Sequence, residues 1–445
     1  MTEGLGLGAR DTRVEYGPGG SVHRVDEASD MESTPTMLRG NEGTNCGMVT
    51  AVQLRNDVDE ILPGVIADRR WLHEHPEVGM QEFETAKFVA ARLAQLGVED
   101  IQTGINVTGI TGLIRGRAGE SNKVVLVRAD MDALPILEEN DVEYASKNAG
   151  VMHACGHDAH TAMLLGLCRV LLDRRSEFAG TVKVLFQPAE EVDPGGAIGM
   201  IHEGVLENPH VDIVLGLHVA SSYPSGEIHL RSGPSNAAPD AWTVRIQGKG
   251  SHAAEPHESV DPVVVGAQIV LALQTLVSRE TDPMDSAVLS VTAFLAGDAF
   301  NVIPDTAELR GTVRTIRGEV REHLSRRLAE VAVGVGAALG ATVTTDYVYG
   351  APSIVNDPAV VELVRAAAIQ VVGDENVHES KVGMGGEDFS YFTEARPGCF
   401  FNVGTRNEER EIVWGHHHPR FDIDEEGMGP GIATMAQAVL NCLDA

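Results

Sequence analysis

The sequence is poor in basic residues and in cysteine, and each shortage excludes a class of protein. Against 65 aspartates and glutamates stand 34 lysines and arginines, of which six are lysine, so the formal net charge is −31. A chain this acidic repels phosphate backbones, which argues against nucleic acid as a partner. The five cysteines are too few and too scattered to form a disulfide framework, and they favour a reducing cytoplasm.

Long apolar runs are also missing. The longest, around 263–273 and 331–340, are short and broken by glycine or glutamine, and no basic patch followed by an apolar stretch stands at the N-terminus. Secretion and membrane spanning are therefore disfavoured, and we expect a cytoplasmic protein with no membrane partner. Apolar residues still make up 43% of the chain, which is typical of a globular protein with a large core.

Two segments differ from the rest of the chain in composition or pattern. Residues 1–48 are rich in Gly, Ser, Thr, Asp and Glu without periodicity, so we interpret them as a disordered tail. Residues 239–348 follow the order strand, helix, strand, strand, helix, strand, the plan of an inserted ferredoxin-like α+β domain. Over 49–238 and 349–445, apolar strands alternate with helices, which predicts a mixed, mainly parallel sheet flanked by helices.

Apolar spacing gives the individual elements. The predicted helices are 54–66, 85–96, 160–172, 260–276, 317–339, 358–372 and 431–443. The predicted strands are 109–114, 124–127, 182–186, 211–217, 243–246, 287–292, 306–315, 342–347 and 399–403.

Three of the apolar strands end in residues that bind metals or act as acids and bases. The run VVLVRADMD reaches Asp130 and Asp132, VKVLFQPAEE reaches Glu190 and Glu191, and VDIVLGLH reaches His218. A single acidic residue at a strand end is more often an exposed loop residue. Ligands bind at the carboxyl ends of strands in open α/β sheets, however, so three such ends in succession predict one shared crevice.

A cluster of metal-binding residue types lies between the first two of these strands. The run MHACGHDAH contains His153, Cys155, His157, Asp158 and His160. Imidazole and thiolate are ligands of borderline divalent metals, and one spacer residue lets Cys155 and His157 face one cavity. With the glutamate pair and the strand-end histidine, the cluster predicts a metal site, whereas a lone Cys or His more often fills the core. Asp158 and His160 can instead cap or orient the helix that follows.

A glutamate pair and a histidine triplet complete the candidate residues. Because Glu190 and Glu191 are adjacent at a strand end, their side chains point in different directions, so one can bind metal while the other deprotonates water. Taken alone, such a pair is more often a solvated turn. In WGHHHPRFD, one of His416, His417 and His418 is expected to be a ligand.

Nine motifs from about Arg69 onwards occur in the order of a known family. They are RRWLHEHPEVGMQEFETAKF, RADMDALP, MHACGHDAHTAMLLG, FQPAEE, LGLH, GKGSHAAEPH, NVIPD, MGGEDFSYF and HHHPRFD. On these motifs the chain resembles the M20 metallopeptidase family, specifically its branch of hippurate hydrolases, N-acyl amino acid amidohydrolases and plant auxin-conjugate hydrolases. The resemblance implies a dimetal exopeptidase-like catalytic domain, with the inserted domain as lid and dimer interface.

The resemblance also implies a metal centre. It would hold two divalent ions, Zn, Mn, Co or Ni, on Cys155, His157, Glu191, His218 and His417. Cys155 takes the place of a bridging carboxylate in other branches of the family. His417 is preferred to its two neighbours because the family pattern is His-x-Pro followed by a basic residue, Phe and Asp.

Catalytic and substrate-binding residues follow from the same resemblance. Glu190 matches the general base. His252 matches a histidine that reaches the partner subunit's site and stabilises the developing oxyanion. Asn301 in the lid, Asp132 at the first strand end and Glu387 in the GGEDF loop are assigned to substrate binding.

We therefore predict a metal-dependent amidohydrolase, a homodimer or dimer-based oligomer, that cleaves an N-acyl amino acid to a carboxylic acid and a free amino acid. A dipeptidase or an aminoacylase of another substrate range fits the same motifs. Two alternatives come from other classes: a thiol hydrolase using Cys155 with His157, and a non-catalytic ligand-binding protein on the same fold. Loss of activity to a chelator would favour the metalloenzyme over the thiol enzyme.

Overall fold

A computed structural model describes residues 50–445; the predicted tail, 1–48, lies outside the described residues. The helices are α1 (Ala51–Glu74), α2 (Phe83–Leu96), α3 (His157–Asp173), α4 (Gly196–His202), α5 (Pro262–Glu280), α6 (Gly318–Ala338), α7 (Pro358–Val372), α8 (Ser390–Ala395) and α9 (Met428–Asp444). The strands are β1 (Glu99–Ile105), β2 (Gly109–Arg115), β3 (Val124–Asp130), β4 (Thr181–Gln187), β5 (Ile213–Pro224), β6 (Ile228–Leu230), β7 (Gly233–Pro234), β8 (Ala238–Gln247), β9 (Ser251–His252), β10 (Ala287–Leu295), β11 (Val302–Ile303), β12 (Thr306–Thr315), β13 (Thr342–Tyr349), β14 (Val355–Asn356), β15 (Val377–Glu379) and β16 (Gly398–Arg406).

The central sheet has eight strands in the order β1-β2-β4-β3-β5-β16-β6-β15. Its four middle strands, β4, β3, β5 and β16, run parallel. Antiparallel pairs occur towards the edges, where β1 pairs with β2, β2 with β4 and β6 with β16. The predicted mixed, mainly parallel sheet is confirmed.

Two apolar cores cover the two faces of this sheet. In β3, Val125 and Val127 point into one core with α1, α2, α3, α7 and α9, whereas Val124 and Leu126 point into the other. Every residue of β3 is buried, as expected for a parallel strand between two layers. The strand ends are thus held rigidly from both sides.

A second, four-stranded antiparallel sheet follows in the order β10-β12-β8-β13. Helices α5 and α6 pack together on it and share its apolar core, which includes Trp242, Ile269, Leu309 and Leu328. The strand and helix order is that of a ferredoxin-like fold, as predicted. The proposed boundaries of an independent domain, 239–348, stay a prediction.

Helix α5 is long and apolar enough to cross a membrane by length and composition alone. Its buried side chains, among them Val265, Ile269 and Leu273, lie in the core of the four-stranded sheet. A helix in such a core meets the same length and composition criteria as a membrane span, so the finding is weak evidence for a membrane.

Three strands of the central sheet were not predicted. Strand β1 is largely polar and partly exposed, and β6 and β15 have three residues each, too few to show an alternating pattern. Strand β5 also continues beyond the predicted end at residue 217 to Pro224. These additions matter because the added part of β5 lines the candidate active site, and β15 leads into Ser380 and Lys381, which also line it.

Candidate active site

A cavity of about 670 Å³ opens beside the carboxyl ends of the parallel strands. Glu190 and Glu191 follow β4, His218 lies within β5, and Cys155 comes from the loop before α3; all four line the cavity. Ligand sites at this edge of the sheet are the general rule in α/β folds. The structure therefore brings together the strand-end residues that the sequence singled out.

Cys155 belongs to two groups of potential metal ligands. In the first, one donor atom each from Cys155, His157 and His218 lies within 4.8 Å of the other two. In the second, Cys155, Glu191 and His417 meet the same condition. Because Cys155 belongs to both groups, its thiolate would be a ligand shared by the two if both held a metal ion.

An unpartnered buried atom points to the same place. His157 Nε2 is buried and makes no hydrogen bond among the described residues. Buried polar atoms are normally paired, so an unpaired imidazole nitrogen beside a thiol fits a site that is completed by a cation. Thiolate, imidazole and carboxylate together suit borderline divalent metals.

Position 156, the spacer between Cys155 and His157, requires glycine for steric reasons. Its φ is +90°, and a Cβ there would stand 2.3 Å from the side chain of Val219. Only glycine tolerates both constraints. The turn at Gly156 begins α3 at His157 and aims Cys155 and His157 at one point.

The three consecutive histidines have different surroundings. His417 Nε2 lies 3.0 Å from Glu191 Oε1, and its backbone N–H donates to the carbonyl of Ala154. His418 stacks on Trp414, with ring centroids 4.2 Å apart. His416 also lines the cavity, and its ring lies 5.1 Å from the ring of His218. His417 is thus the histidine of the three that contacts Glu191, while His416 borders the same cluster.

Asp132 positions other residues of the site. It is fully buried; its two oxygens accept the N–H groups of Glu190 and Glu191 at 3.0 Å, and Oδ1 lies 3.2 Å from His157 Nδ1. A carboxylate behind an imidazole fixes its tautomer and leaves the far nitrogen free for a metal. Asp132 is not among the cavity-lining residues, so its contacts differ from the predicted contact with substrate.

Asp130 has a similar role deeper in the protein. Its Oδ1 lies 2.6 Å from His160 Nδ1, and the far nitrogen of His160 accepts the N–H of Val219 at 2.9 Å. Burial lowers the pKa of His160 to about 3 despite the neighbouring Asp130, so its ring stays neutral. Asp130 and His160 therefore connect β3 to β5 directly beneath the donor cluster.

Glu190 and Glu191 differ in charge environment. Burial raises the pKa of Glu190 well above its usual range, and Glu387 and Asp388 raise it further. Burial also acts on Glu191, but His417 and His157 outweigh it and lower the pKa of that carboxyl group. One glutamate thus holds a proton readily while the other stays ionised, the division expected between a proton carrier and a ligand.

A buried arginine organises the far wall, and sequence reasoning missed it. Arg128 donates to Asp130 at 2.7 Å and to Glu387 and Asp388 at 2.9 Å, and it also contacts Gln187. This cluster joins the GGEDF loop to the strand ends. Glu387 lines the cavity, as its predicted role requires, but one of its oxygens is already bound by Arg128. The only sign of this role in the sequence was that Arg128 is a charged residue within the apolar run of β3.

Two cationic side chains line the cavity, and neither was predicted. They are Arg314 from β12 of the four-stranded sheet and Lys381 from the loop after β15. No local pattern marks either residue, because the two are brought to the cavity by the packing of separate sheets. Together they add positive charge to an otherwise acidic cavity lining.

His252 and Asn301 lie side by side outside this cavity. His252 in β9 pairs with Val302 in β11, and the N–H of Ala253 donates to the carbonyl of Asn301. Both His252 and Asn301 are exposed, and neither lines the cavity of the same chain. Within one chain, the structure does not bring the predicted lid residues to the donor cluster.

The chain is similar in sequence to a known protein family and to several of its members. A family model described as peptidase family M20/M25/M40 matches residues 126–441. Thermostable carboxypeptidase 2 of Saccharolobus solfataricus is 40% identical over 391 residues, 87% of this chain and 97% of that protein. N-acyl-L-amino acid amidohydrolase of Geobacillus stearothermophilus is 44% identical over 308 residues, 69% of this chain and 82% of that protein.

The fold is also similar to that of a solved structure from the same family. The crystal structure of a Bacillus subtilis protein, described as a dinuclear metal binding peptidase from the M20 family, has a TM-score of 0.76 and 35% identity. The similarity covers 87% of this chain and 99% of that one. The chain belongs to peptidase family M20/M25/M40, and the prediction of a dinuclear metal-dependent hydrolase is confirmed.

Proposed function

We propose that the protein hydrolyses the amide bond of N-acyl amino acids and releases a carboxylic acid and a free amino acid. The observation that carries this proposal is the pair Glu190 and Glu191 at the cavity, where Asp132 accepts both backbone N–H groups and only Glu191 also contacts His417. The amidohydrolase of Geobacillus stearothermophilus supports the substrate class.

The donor set fits two divalent ions. Cys155, His157, Glu191, His218 and His417 would hold them, and Cys155 belongs to both donor groups. Zn, Mn, Co and Ni all suit these ligands. Such ions, when bound, polarise the amide carbonyl and make water a better nucleophile at neutral pH.

Glu190 is the proposed proton carrier. Its carboxylate accepts a proton from the attacking water and then gives it to the leaving amine nitrogen. A high pKa favours the second half of this task, since the carboxyl group retains its proton until the amine takes it. Asp132 accepts the backbone N–H of Glu190 and so fixes the point from which this side chain extends into the cavity.

The residues that line the cavity suggest partners for the two ends of the proposed substrate. Arg314 and Lys381 are the proposed partners of the amino acid carboxylate, because a carboxylate needs cations in a cavity otherwise lined by Glu190, Glu191 and Glu387. We keep Asp132 and Glu387 as residues that shape the substrate site through the contacts described above. A neutral acyl group fits the remaining apolar lining.

The lid is proposed to act across a dimer interface. His252 and Asn301 are exposed in one chain, and the residues next to them, Phe300 and Val302, expose 100% and 53% of their surface. Exposed apolar residues in a cluster mark a protein contact. We propose that the 239–348 segment forms a lid domain, and that a homodimer places His252 and Asn301 beside the partner's cavity. There His252 would donate to the developing oxyanion.

A peptidase is the second candidate function, because the carboxypeptidase of Saccharolobus solfataricus is also a close relative. A thiol enzyme is less well supported: burial raises the pKa of the Cys155 thiol well above its usual range, which makes it a poor nucleophile. A purely ligand-binding protein would not need Glu190 beside a complete donor set. A cytoplasmic location, without a nucleic acid or membrane partner, completes the proposal.

One experiment separates these candidates. The metal content of the purified enzyme is measured, and release of free amino groups is followed with N-acetyl, N-benzoyl and N-indoleacetyl amino acids and with matching dipeptides. We expect turnover of the N-acyl compounds that a chelator abolishes and added divalent metal restores. Turnover of dipeptides alone would favour the peptidase. Chelator-resistant turnover would favour the thiol enzyme.

A further inference from the structure

A second group of potential metal ligands lies outside the active site, on strands β6 and β15. Glu227 Oε2 is 2.8 Å from His229 Nε2 and 3.8 Å from His378 Nε2. Donor atoms of the three residues all lie within 4.8 Å of one another. None of the three lines the catalytic cavity, and none belongs to the motifs that carry the family resemblance.

The backbone explains why these side chains meet. Glu227 directly precedes β6 and His229 lies within it, two residues further on, and the contact between their side chains shows that both lie on the same side of the sheet. Strand β15 runs parallel to β6 with His378 opposite His229. His229 and His378 therefore converge from paired strands, and Glu227 joins them from the residue directly before β6.

The cluster is separate from the catalytic donors. His218, Asn402, His229 and His378 occupy one row across β5, β16, β6 and β15. With roughly 4.8 Å between neighbouring strands, His229 stands about 10 Å from His218 along this row. An ion held by His229 thus cannot share a ligand with the catalytic centre.

His229 is prepared to bind a cation. Tyr223 stacks on its ring with centroids 3.6 Å apart and an angle of 6° between the planes, which fixes the ring orientation. The residue is buried, and burial lowers the pKa of His229, although Glu227 opposes the shift. A neutral imidazole keeps a lone pair available for a metal at neutral pH.

The distances suit a tetrahedral ion. Zn–N and Zn–O bonds of about 2.0–2.2 Å place the ligand atoms roughly 3.4 Å apart. The contacts to Glu227 Oε2, at 2.8 and 3.8 Å, lie on either side of that separation. The side chains of Glu227 and His378 remain partly exposed, so an ion and its water ligand can enter from solvent.

We propose that Glu227, His229 and His378 form a third divalent-metal site, distinct from the catalytic centre, which takes Zn²⁺ or a similar borderline cation. An ion there ties β15 to β6. Strand β15 leads directly into Ser380 and Lys381, which line the catalytic cavity. The bound ion therefore stabilises one wall of the cavity without entering the reaction.

The test is zinc binding to the full chain with any affinity tag removed. Metal content is measured after equilibrium dialysis against buffered Zn²⁺ for the wild type, His378→Ala and Glu227→Gln. His210→Ala is the matched control, since His210 also pairs with a glutamate, Glu207, on the surface. We expect both cluster variants to bind about one ion fewer per chain than the wild type and the control, with a wild-type Kd below about 10 µM.

Two further readouts decide the role of the site. Zn²⁺ is expected to raise the melting temperature of the wild type more than that of His378→Ala, because binding to the folded state alone stabilises it. Cys155→Ser should be deficient in catalytic metal. The double variant Cys155→Ser, His378→Ala should still bind about one ion fewer than Cys155→Ser alone. Equal zinc content in the wild type and both cluster variants would overturn the proposal, and so would an extra ion that binds only at millimolar zinc.

Discussion

At the scale of single residues, Glu190 and Glu191 are identical neighbours whose surroundings give them different chemistry. Glu191 faces His417 and His157, whereas Glu190 faces the carboxylates of Glu387 and Asp388. Their spacing on the strand end indicated two directions from the sequence alone. The difference in pKa could not be read there, because Glu387 and Asp388 lie about two hundred residues further along the chain.

The first prediction concerns Glu190→Gln. Glutamine keeps the shape of the side chain but accepts no proton, so kcat should fall by about 10²–10⁴-fold, the usual contribution of a general base. Metal content and melting temperature should stay close to those of the wild type. Steady-state kinetics with the best N-acyl substrate measures the loss.

Glu120→Gln is the matched control, because Glu120 is exposed and makes the same change of charge away from the cavity. It should retain wild-type kcat. If Glu190→Gln also did so, the proton would have to move through another group. If it lost its metal, Glu190 would be a ligand instead.

The second prediction is a pH dependence that depends on His73. Burial and Arg69 lower the pKa of His73, but Asp158 and Glu138 outweigh them and raise it to about 9. Because the folded-state pKa lies above the unfolded value of about 6.5, the stabilisation is complete below pH 6.5 and disappears as the pH rises through 9. Its size is on the order of 3 kcal/mol.

The measurement compares urea unfolding of the wild type and His73→Asn across this pH window. The stability difference between the two proteins should shrink steadily from pH 6.5 to above 9. A difference that stays constant would mean that His73 titrates at its ordinary pKa in the folded protein.

At the scale of elements, buried strands and amphipathic helices were predictable because each carries its own apolar pattern. Strands β3 and β4 and helices α3 and α9 lie close to their predicted positions. Strands β1, β6 and β15 were not predictable, because their short or polar sequences carry no apolar pattern of their own. They are recognised as strands only by their pairing with neighbouring strands. The same limit hid the Glu227, His229 and His378 group, whose members meet only once β15 joins β6.

The third prediction concerns Arg69 of α1, which connects three separate elements. Fully buried, it contacts Asp158 at the start of α3, Asp422 after the histidine triplet, and Glu425. Arg69→Met would leave these carboxylates without their cation. We expect a loss of about 3–5 kcal/mol in the free energy of unfolding, measured with denaturant.

Arg70→Met is a close control. Arg70 is the next residue and contacts the same Glu425, but 44% of its side chain is exposed. Exposed ion pairs contribute about 0–1 kcal/mol, so Arg70→Met should have little effect. Equal losses in the two variants would show that Arg69 acts only through its bond to Glu425.

At the scale of the whole molecule, the motifs predicted which residues form the donor cluster better than how the cluster is supported. Cys155, His157, Glu191 and His218 are marked by their types and spacing. Arg128 and Arg314, by contrast, reach the site through contacts between segments far apart in the sequence. His252, if it acts across a subunit interface as proposed, is the extreme case, because it is exposed even in the folded single chain.

The fourth prediction tests that case by mixing two inactive subunits. If His252 serves the partner's site, a hybrid of a His252→Ala chain and a Glu190→Gln chain has one site with both groups and one with neither. Random exchange makes about half of the dimers hybrid, and each has one working site, so activity should recover to about a quarter of wild type. Activity is followed during subunit exchange, with hybrids counted by native mass spectrometry.

The control mixes Glu190→Gln with a chain carrying both substitutions, a pair in which no arrangement restores an intact site. Recovery in the first mixture alone assigns His252 to the partner's cavity, because the two defects then complement each other only across the interface. Hybrids without activity would mean that His252 does not act at the partner's site. It could then act only at the cavity of its own chain, which it would reach only if the proposed lid moved. The exposed apolar surface beside His252 favours the first outcome, since Phe300 and Val302 expose 100% and 53% of their surface and a second chain packed there would cover them.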